Sequence, residues 1–326
     1  MKPSRRHYCA AAAAATLLAA LPVRAQAYPS KPLKWIVPFP PGGPTDTFSR
    51  PVALALGEAL GQPVVVENVP GAGASIGMER VARSAPDGYT IGLATTGTLA
   101  INPHLYGSRL PHDTSRDFTT MTLAARYVNV LVISPKLGIS SIAELVAYAK
   151  ANPGKVNFGS AGVGNTLHLA TELFKLQTGV VIVDVPYKGA SQAVVDLLAG
   201  NIQMMFDLVQ TPLQHINAGK LRALGTTWEK RAGALPNVPT MIEQGFDYNF
   251  GAMIGIFGPA GMPRDVVTRL HAEISKVMLM PDVRESFAKQ AMEPLTFATP
   301  EAYAAQFRKD VDEMGKLVRA AKIEPQ

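Results

Sequence analysis

The stretch PFPPGGPTDTFSR, Pro38 to Arg50, decides how this chain is read. An apolar run, LKWIVPF, ends in prolines and two glycines, and Thr-Asp-Thr then opens an amphipathic segment. Glycine leaves room for another group beside the main chain. The first N–H groups of a helix lack internal partners, and the helix dipole favours negative charge there. A strand passing through such a turn into a helix either offers bare N–H groups to an anion or is an ordinary turn.

The same grammar recurs outward from this turn. QPVVVEN, YTIGLAT, NVLVISP, KVNFGS, VVIVDVPY, IQMMFD and LRALGTT read as strands. Between them lie helical patterns: RPVALALGEAL, SIGMERVARSA, IAELVAYAKA, TLHLATELFKLQ, ASQAVVDLLAG and PLQHINAG. TLAINPHLYG reads as a short helix or turn, and Ser141 with Glu144 forms a capping box. Alternation of this kind predicts an α/β protein with parallel sheets covered by helices.

After a Pro- and Gly-rich loop and one more strand, AMIGIFG, the chain turns helical. Val266, Leu270, Ile274 and Val277 give one helix a buried face, and Pro300 and Glu301 open a long terminal one. The pattern shifts at NVLVISP and AMIGIFG, which read as two crossovers between a domain built from both chain ends and an inserted one. The expected division is 28–125 with 249–326, and 126–248.

Residues 1–27 read as a secretory signal peptide. Lys2, Arg5 and Arg6 precede an alanine- and leucine-rich run from Cys9 to Leu21, and AQA supplies small residues before Tyr28. SRRHY is a partial match to a twin-arginine export signal. Setting this segment aside lowers the 31 basic residues to 27 against the same 25 acids, so the charge falls from +6 to +2. No basic stripe remains for nucleic acid. The single cysteine, Cys9, leaves with the signal, so the expected exported product has no disulfide or thiol chemistry.

Three strand ends combine glycine with small hydroxyl residues before a helix start. They are Pro41-Gly42-Gly43-Pro44-Thr45-Asp46, Thr95-Thr96-Gly97-Thr98, and Gly159-Ser160-Ala161-Gly162-Val163-Gly164-Asn165-Thr166. Ligands of open α/β sheets bind beyond the carboxyl ends of the strands. Several such ends facing one cleft would hold an anion without any arginine.

YPSKPLKWIVPFPPGGPTD, VVVENVPGAGASIG, APDGYT, FGSAGVGNTLHLATELFK, VPYKGASQAVVDLLAG and GIFGPAGMP together resemble the Bordetella uptake gene (Bug) family. These are the extracytoplasmic solute receptors of tripartite tricarboxylate transporters, and the similarity runs in order from Tyr28 almost to the C-terminus. The resemblance implies a two-lobed periplasmic binding protein of the type II-like class, each lobe a mostly parallel sheet flanked by helices, with two hinge crossovers. It implies that a ligand carboxylate is gripped by backbone N–H groups and ordered water. Mapped residue by residue, that implicates Gly42, Gly43, Pro44, Thr45 and Asp46 in one lobe, and Ser160, Ala161, Gly164, Asn165 and Thr166 in the other. Thr95, Thr96, Gly97 and Thr98 fall in a third ligand-side loop, and Asp207 either faces the cleft or serves as a buried cap. The ligand class implied is a dicarboxylate, a tricarboxylate or an aromatic acid. The partners implied are the transporter's membrane subunits, with no cofactor or metal, and the protein is expected to be a monomer in the periplasm.

Several residues keep two readings. Asp46 either satisfies helix-entry donors or meets a ligand ammonium. Lys188 either attracts a distal acid group or is an exposed loop residue, and His168 is a packed helix residue or a catalyst. Pro51, six positions beyond Thr45, predicts either a kinked helix or a separate first turn followed by a helix that Ser49 caps and Arg50 and Pro51 begin, leaving the direction of Asp46 and Arg50 open.

An enzyme has little support, with no GxSxG elbow and no His pair at metal spacing. GAGASIG departs from the dinucleotide fingerprint by one position. A receptor presenting its closed form to a membrane sensor is the alternative to one serving a transporter.

Overall fold

The computed structural model describes residues 28–160, 165–187 and 189–323. The expected signal peptide, Ala161, Gly164 and Lys188 lie outside the described residues. The strands are β1 (Leu33–Val37), β2 (Val64–Asn68), β3 (Thr90–Thr95), β4 (Phe118–Tyr127), β5 (Asn129–Ile133), β6 (Asn157–Ser160), β7 (Val183–Pro186), β8 (Met204–Leu208), β9 (Arg222–Thr226), β10 (Ala252–Pro259) and β11 (Met292–Pro294). They form two sheets, ordered β11-β4-β10-β3-β1-β2 and β7-β6-β8-β5-β9.

The sheets are mixed rather than mostly parallel. β1 pairs in parallel with β2 and β3, and β6 with β7 and β8, as βαβ alternation demands. β10, β4 and β11 run antiparallel in the first sheet, and β5 runs antiparallel to β8 and β9 in the second. Parallel neighbours need a long, usually helical crossover. β5 instead follows β4 across Val128 alone, and β10 follows β9 through the loop 227–251. These are two passages of the chain between the sheets. β4 escaped the sequence reading because FTTMTLAARY is threonine- and alanine-rich, with no continuous apolar run.

Helices α1 (Pro44–Leu60), α2 (Ser75–Ala82), α3 (Asn102–Tyr106), α4 (Ile142–Ala151), α5 (Thr166–Thr178), α6 (Ala190–Ala199), α7 (Leu213–Asn217), α8 (Arg264–Met278), α9 (Pro281–Lys289) and α10 (Pro300–Ala320) cover the sheets. On one face of the first sheet, Phe48, Val52 and Leu56 of α1 pack with Leu270 and Ile274 of α8 and Phe287 of α9. Met78, Leu99 and Tyr303 fill the other face. The second sheet is buried on both sides. Leu131 and Ile133 face a cluster with Leu145, Leu169 and Phe174, while Val130 and Val132 face one with Val194, Leu197 and Trp228. That is the period-two alternation of a strand covered by helices on both faces.

α1 runs through Pro51 without interruption from an N-cap at Gly43, so neither a separate first turn nor a new start at Arg50 exists. Pro51 leaves the Thr47 carbonyl without its helical donor. Ser49 is no cap: its hydroxyl donates to the Thr45 carbonyl at 2.7 Å.

Gly77 of α2 seats the glycine turn. A Cβ there would lie 2.6 Å from Pro38 Cβ, 2.8 Å from Pro38 Cα and 2.7 Å from the Val69 carbonyl oxygen. A helical Gly→Ala change ordinarily gains up to about 1 kcal/mol. Here the collision is with main chain on two sides, so Gly77→Ala is expected to lower stability by about 1–3 kcal/mol. Urea unfolding checks this, and an unchanged or raised midpoint would show that Pro38 moves freely.

Candidate functional site

The carboxyl ends of β1, β3 and β6 open towards one cavity of about 780 Å³. Gly42, Gly43, Pro44 and Thr45 line it at the start of α1, and Thr95, Gly97 and Thr98 line it after β3. From the second sheet come Asn165 and Thr166, at the start of α5. The two sides come close: a Cβ on Gly97 would lie 3.7 Å from Thr166 Oγ1.

In the first turn, Gly42 takes φ +79°, the left-handed region that favours glycine. Its N–H donates to Asp46 Oδ2 at 2.9 Å. Arg50 grips the same carboxylate bidentately, Nε to Oδ2 and Nη2 to Oδ1, both at 2.9 Å, and Asn68 Nδ2 adds a bond of 2.9 Å. Burial pushes the Asp46 pKa up, but the Arg50, Gly42 and Asn68 hydrogen bonds and the Arg50 charge outweigh it and hold the carboxyl below its usual range. The Asp46 and Thr47 amides turn back onto the Gly43 carbonyl at 3.0 and 2.9 Å. No intrahelical carbonyl reaches the amides of Gly43 and Thr45, and both residues line the cavity.

The second turn is built differently. Asn165 is the N-cap of α5, and its Oδ1 accepts from the Leu167 and His168 amides at 2.8 and 2.9 Å. Those two donors are spent on the cap. What the residue offers instead is its buried Nδ2, which has no partner among the described residues. In the third loop the Thr98 hydroxyl accepts from the Thr95 amide and donates to the Thr95 carbonyl, both at 2.9 Å. That bond closes the turn and brings Gly97 to the wall.

Four expected site residues are set back from the cavity wall. Asp46 is 3% exposed and wholly engaged with its own turn. Thr96 accepts the Met253 amide at 2.9 Å, fastening β3 to β10. Ser160 is buried at the end of β6, 1% exposed. Asp207 is fully buried, with Oδ1 accepting the Leu208 amide at 2.7 Å. It is Leu208 that reaches the cavity. His168 is a packed helix residue, stacked on Phe158 with Nε2 3.5 Å from Asp184 Oδ2. Burial drives its pKa down and that of Asp184 up.

The sequence reading missed most of the apolar wall: Phe39, Leu105, Tyr106, Tyr127, Leu208 and Ala252. Nothing local marks these residues. Gly73 also lines the cavity, with its carbonyl accepting Asn102 Nδ2 at 3.1 Å, and the GAGASIG string could have pointed to it. No described residue in the wall carries a charged side chain. Among the described residues there is no cluster of three or more His, Cys, Asp or Glu side chains fit to hold a metal.

Two helix-covered sheets whose strand ends share a ligand-sized cavity define an α/β periplasmic binding protein of two lobes. Residues 48–323 match the tripartite tricarboxylate transporter family receptor, and the chain belongs to that family. It is 38% identical to the protein BugT of Bordetella pertussis over 94% of each chain. A solved Rhodopseudomonas palustris protein, Rpa4515 with adipate, is 31% identical with a TM-score of 0.78, covering 92% of this chain and 100% of its own. MatC of the same organism with bound malate is 27% identical with a TM-score of 0.73, covering 89% and 100%. The family consists of solute receptors rather than enzymes, and this chain is one of them.

Asp207 makes a pH dependence legible. Burial raises its pKa from 3.8 to about 7, against the opposing bonds from Leu208 and Thr211. Between those two values the folded state holds a proton that the unfolded chain has released, so stability falls as pH rises from about 4 to about 7. Asp207→Asn keeps the shape and removes the ionisation. Its melting temperature is expected to match the wild type near pH 4 and exceed it at pH 8. Parallel curves across this range would show that Asp207 is ionised in the fold.

Proposed function

We propose that the cavity captures a small organic carboxylate, a dicarboxylate, tricarboxylate or aromatic acid, by closure of two lobes. In this reading the lobes are 28–125 with 249–326, and 126–248, hinged at the two chain passages. The observation that carries it is the convergence of the α1 and α5 starts, from different sheets, on one cavity. Gly43 and Thr45 amides form one jaw, Asn165 Nδ2 and Thr166 the other, and Thr95, Gly97 and Thr98 the wall between them. Backbone donors at helix N-termini suit an anion and need no arginine. The malate- and adipate-bound relatives support an acid as the solute. Ligand drives closure by binding the closed form more tightly than the open one.

The protein then acts as a monomer in the periplasm, after removal of residues 1–27 at Ala27, and delivers its solute to the membrane subunits of a tripartite tricarboxylate transporter. Family membership is what supports that partner.

A melting screen over carboxylates, amino acids, sugars and amides tests the reading. A ligand at a hundredfold its dissociation constant adds about 2.7 kcal/mol, enough to raise the melting temperature by several degrees. Shifts with sugars or amides and with no acid would overturn it. Gly43 has an ordinary φ of −77°, and a Cβ there meets only the Pro40 carbonyl oxygen at 3.6 Å. Gly43→Val is therefore expected to melt like the wild type while losing at least about tenfold in affinity, or 1.4 kcal/mol. Full affinity in that variant would remove the first turn from the site.

A further inference from the structure

We propose that His112 is an acid-sensitive switch on the solute cavity, acting through the segment 107–117 and α3. This rests on the carboxylate reading above and adds a regulation to it. A second cavity, of about 680 Å³, lies between the segment 107–117 and Phe307, Arg308, Val311 and Asp312 of α10. α3 borders both cavities. Asn102, Leu105 and Tyr106 line the solute cavity, while Pro103 and the following Gly107 and Ser108 line the second one. Two contacts hold α3 in place: Asn102 Nδ2 on the Gly73 carbonyl, and His104 Nε2 at 2.7 Å from the Val311 carbonyl oxygen of α10.

His112 lies in the wall of the second cavity and is 8% exposed. Its ring meets Phe118, the first residue of β4, edge-on with centroids 5.4 Å apart. Neither ring nitrogen has a hydrogen-bond partner among the described residues, and nor has Oγ1 of the buried Thr114 in the same wall. A neutral imidazole is tolerated in such a place, whereas an imidazolium has to be paired.

The carboxylates facing His112 are Asp113 and Asp117 of its own segment and Glu79 of α2. All three are engaged. Asp113 accepts from the Ser115 amide and hydroxyl at 2.9 and 2.6 Å, and Asp117 from the Asp113 amide and Arg116 Nε at 2.8 and 3.1 Å. Glu79 pairs with Arg83 at 2.6 Å. On α10, Arg308 and Asp312 line the same cavity and are exposed. Burial holds the His112 pKa below its ordinary 6.5, and the attraction of the three carboxylates does not overcome it.

Below pH 6.5 the unfolded chain takes up a proton that this arrangement refuses, so acid destabilises the arrangement. It favours one in which the charged ring reaches a carboxylate or water, and the second cavity gives the ring room to turn. The segment that carries the ring continues directly from Tyr106. Its displacement draws α3, and with it Asn102, Leu105 and Tyr106, from the solute wall. Solute binding then weakens in acid, and bound solute reciprocally lowers the titration midpoint of His112.

Burial lowers the His168 pKa as well, and Asp207 works in the opposite sense, so the test compares the wild type with His112→Phe. Nuclear magnetic resonance of the mature protein follows the His112 imidazole and the Asn102, Leu105 and Tyr106 amides between about pH 8 and about pH 5. The amides are expected to shift with the imidazole, at a midpoint below 6.5, and to lose that shift in the variant. Calorimetric titration uses adipate, malate and the acid with the largest melting shift in the screen above. Over the same range the wild type is expected to lose at least about fivefold more affinity than the variant. If melting shows that His112→Phe fails to fold, His112→Gln carries both comparisons. Amides that stay still through the imidazole midpoint, or shift equally in the variant, overturn the switch, and so does equal loss of affinity in both proteins. These results leave the carboxylate reading standing. Failure of every acid to bind at either pH overturns that reading and the regulation together.

Discussion

The Asp46 carboxylate is the fixed point of the site. A buried carboxylate is tolerated only when its charge is met and its lone pairs are filled. Here Arg50 supplies the charge through a bidentate fork, while Gly42 and Asn68 fill the rest. The bonds tie the glycine turn, the first turns of α1 and the end of β2 into one unit. They also engage the Asp46 carboxylate and the Arg50 guanidinium with each other, at the back of the first turn. Asp46 and Arg50 stay out of the cavity lining, to which this turn contributes Gly42, Gly43, Pro44 and Thr45.

Asn165 reaches the same end in the opposite way. In the first turn a side chain folds back to hold the loop before the helix, and the N-cap itself has no side chain. In the second, the N-cap side chain takes up the helix's own amides and leaves its buried Nδ2 without a partner among the described residues. Both arrangements fix the turn at the helix start by hydrogen bonds within the protein itself. In the reading proposed above, such preorganised donors would lose less freedom on binding, so more of their interaction energy would be expressed as affinity.

How much of this was legible follows from what each feature depends on. The glycine turn, the βαβ alternation and the Ser141 cap are local. The Ser141 hydroxyl does accept the Glu144 amide, although Glu144 reaches back to the Ser140 amide, one residue earlier than a reciprocal box requires. β4 was not legible because its residues owe their burial to β10 and β11 on either side, not to their own hydropathy. Pro51 misled because a local rule counted one lost hydrogen bond against a helix whose apolar face, Phe48, Val52 and Leu56, is completely buried. Asp46 was ambiguous because the partner that settles it, Asn68, lies on another strand. The cavity wall could not be read at all, since Tyr127, Leu208 and Ala252 come from three strands that meet only in the fold.

The same long-range logic governs how the two sheets are joined. The chain passes between them at Val128 and again through 227–251, and Arg126 ties these passages together. Its guanidinium donates to Asn249 Oδ1 and lies over Trp228, both in the second passage. Burial lowers its pKa to about 10, while Glu229, Glu293 and Asp310 work the other way, so it stays charged at neutral pH. α10 makes a third connection: Tyr303 packs in the core of the first sheet, and Leu317 and Val318 pack in that of the second. Two tied passages and a helix anchored at both ends join the sheets at three places, each made by contacts between residues far apart in the chain.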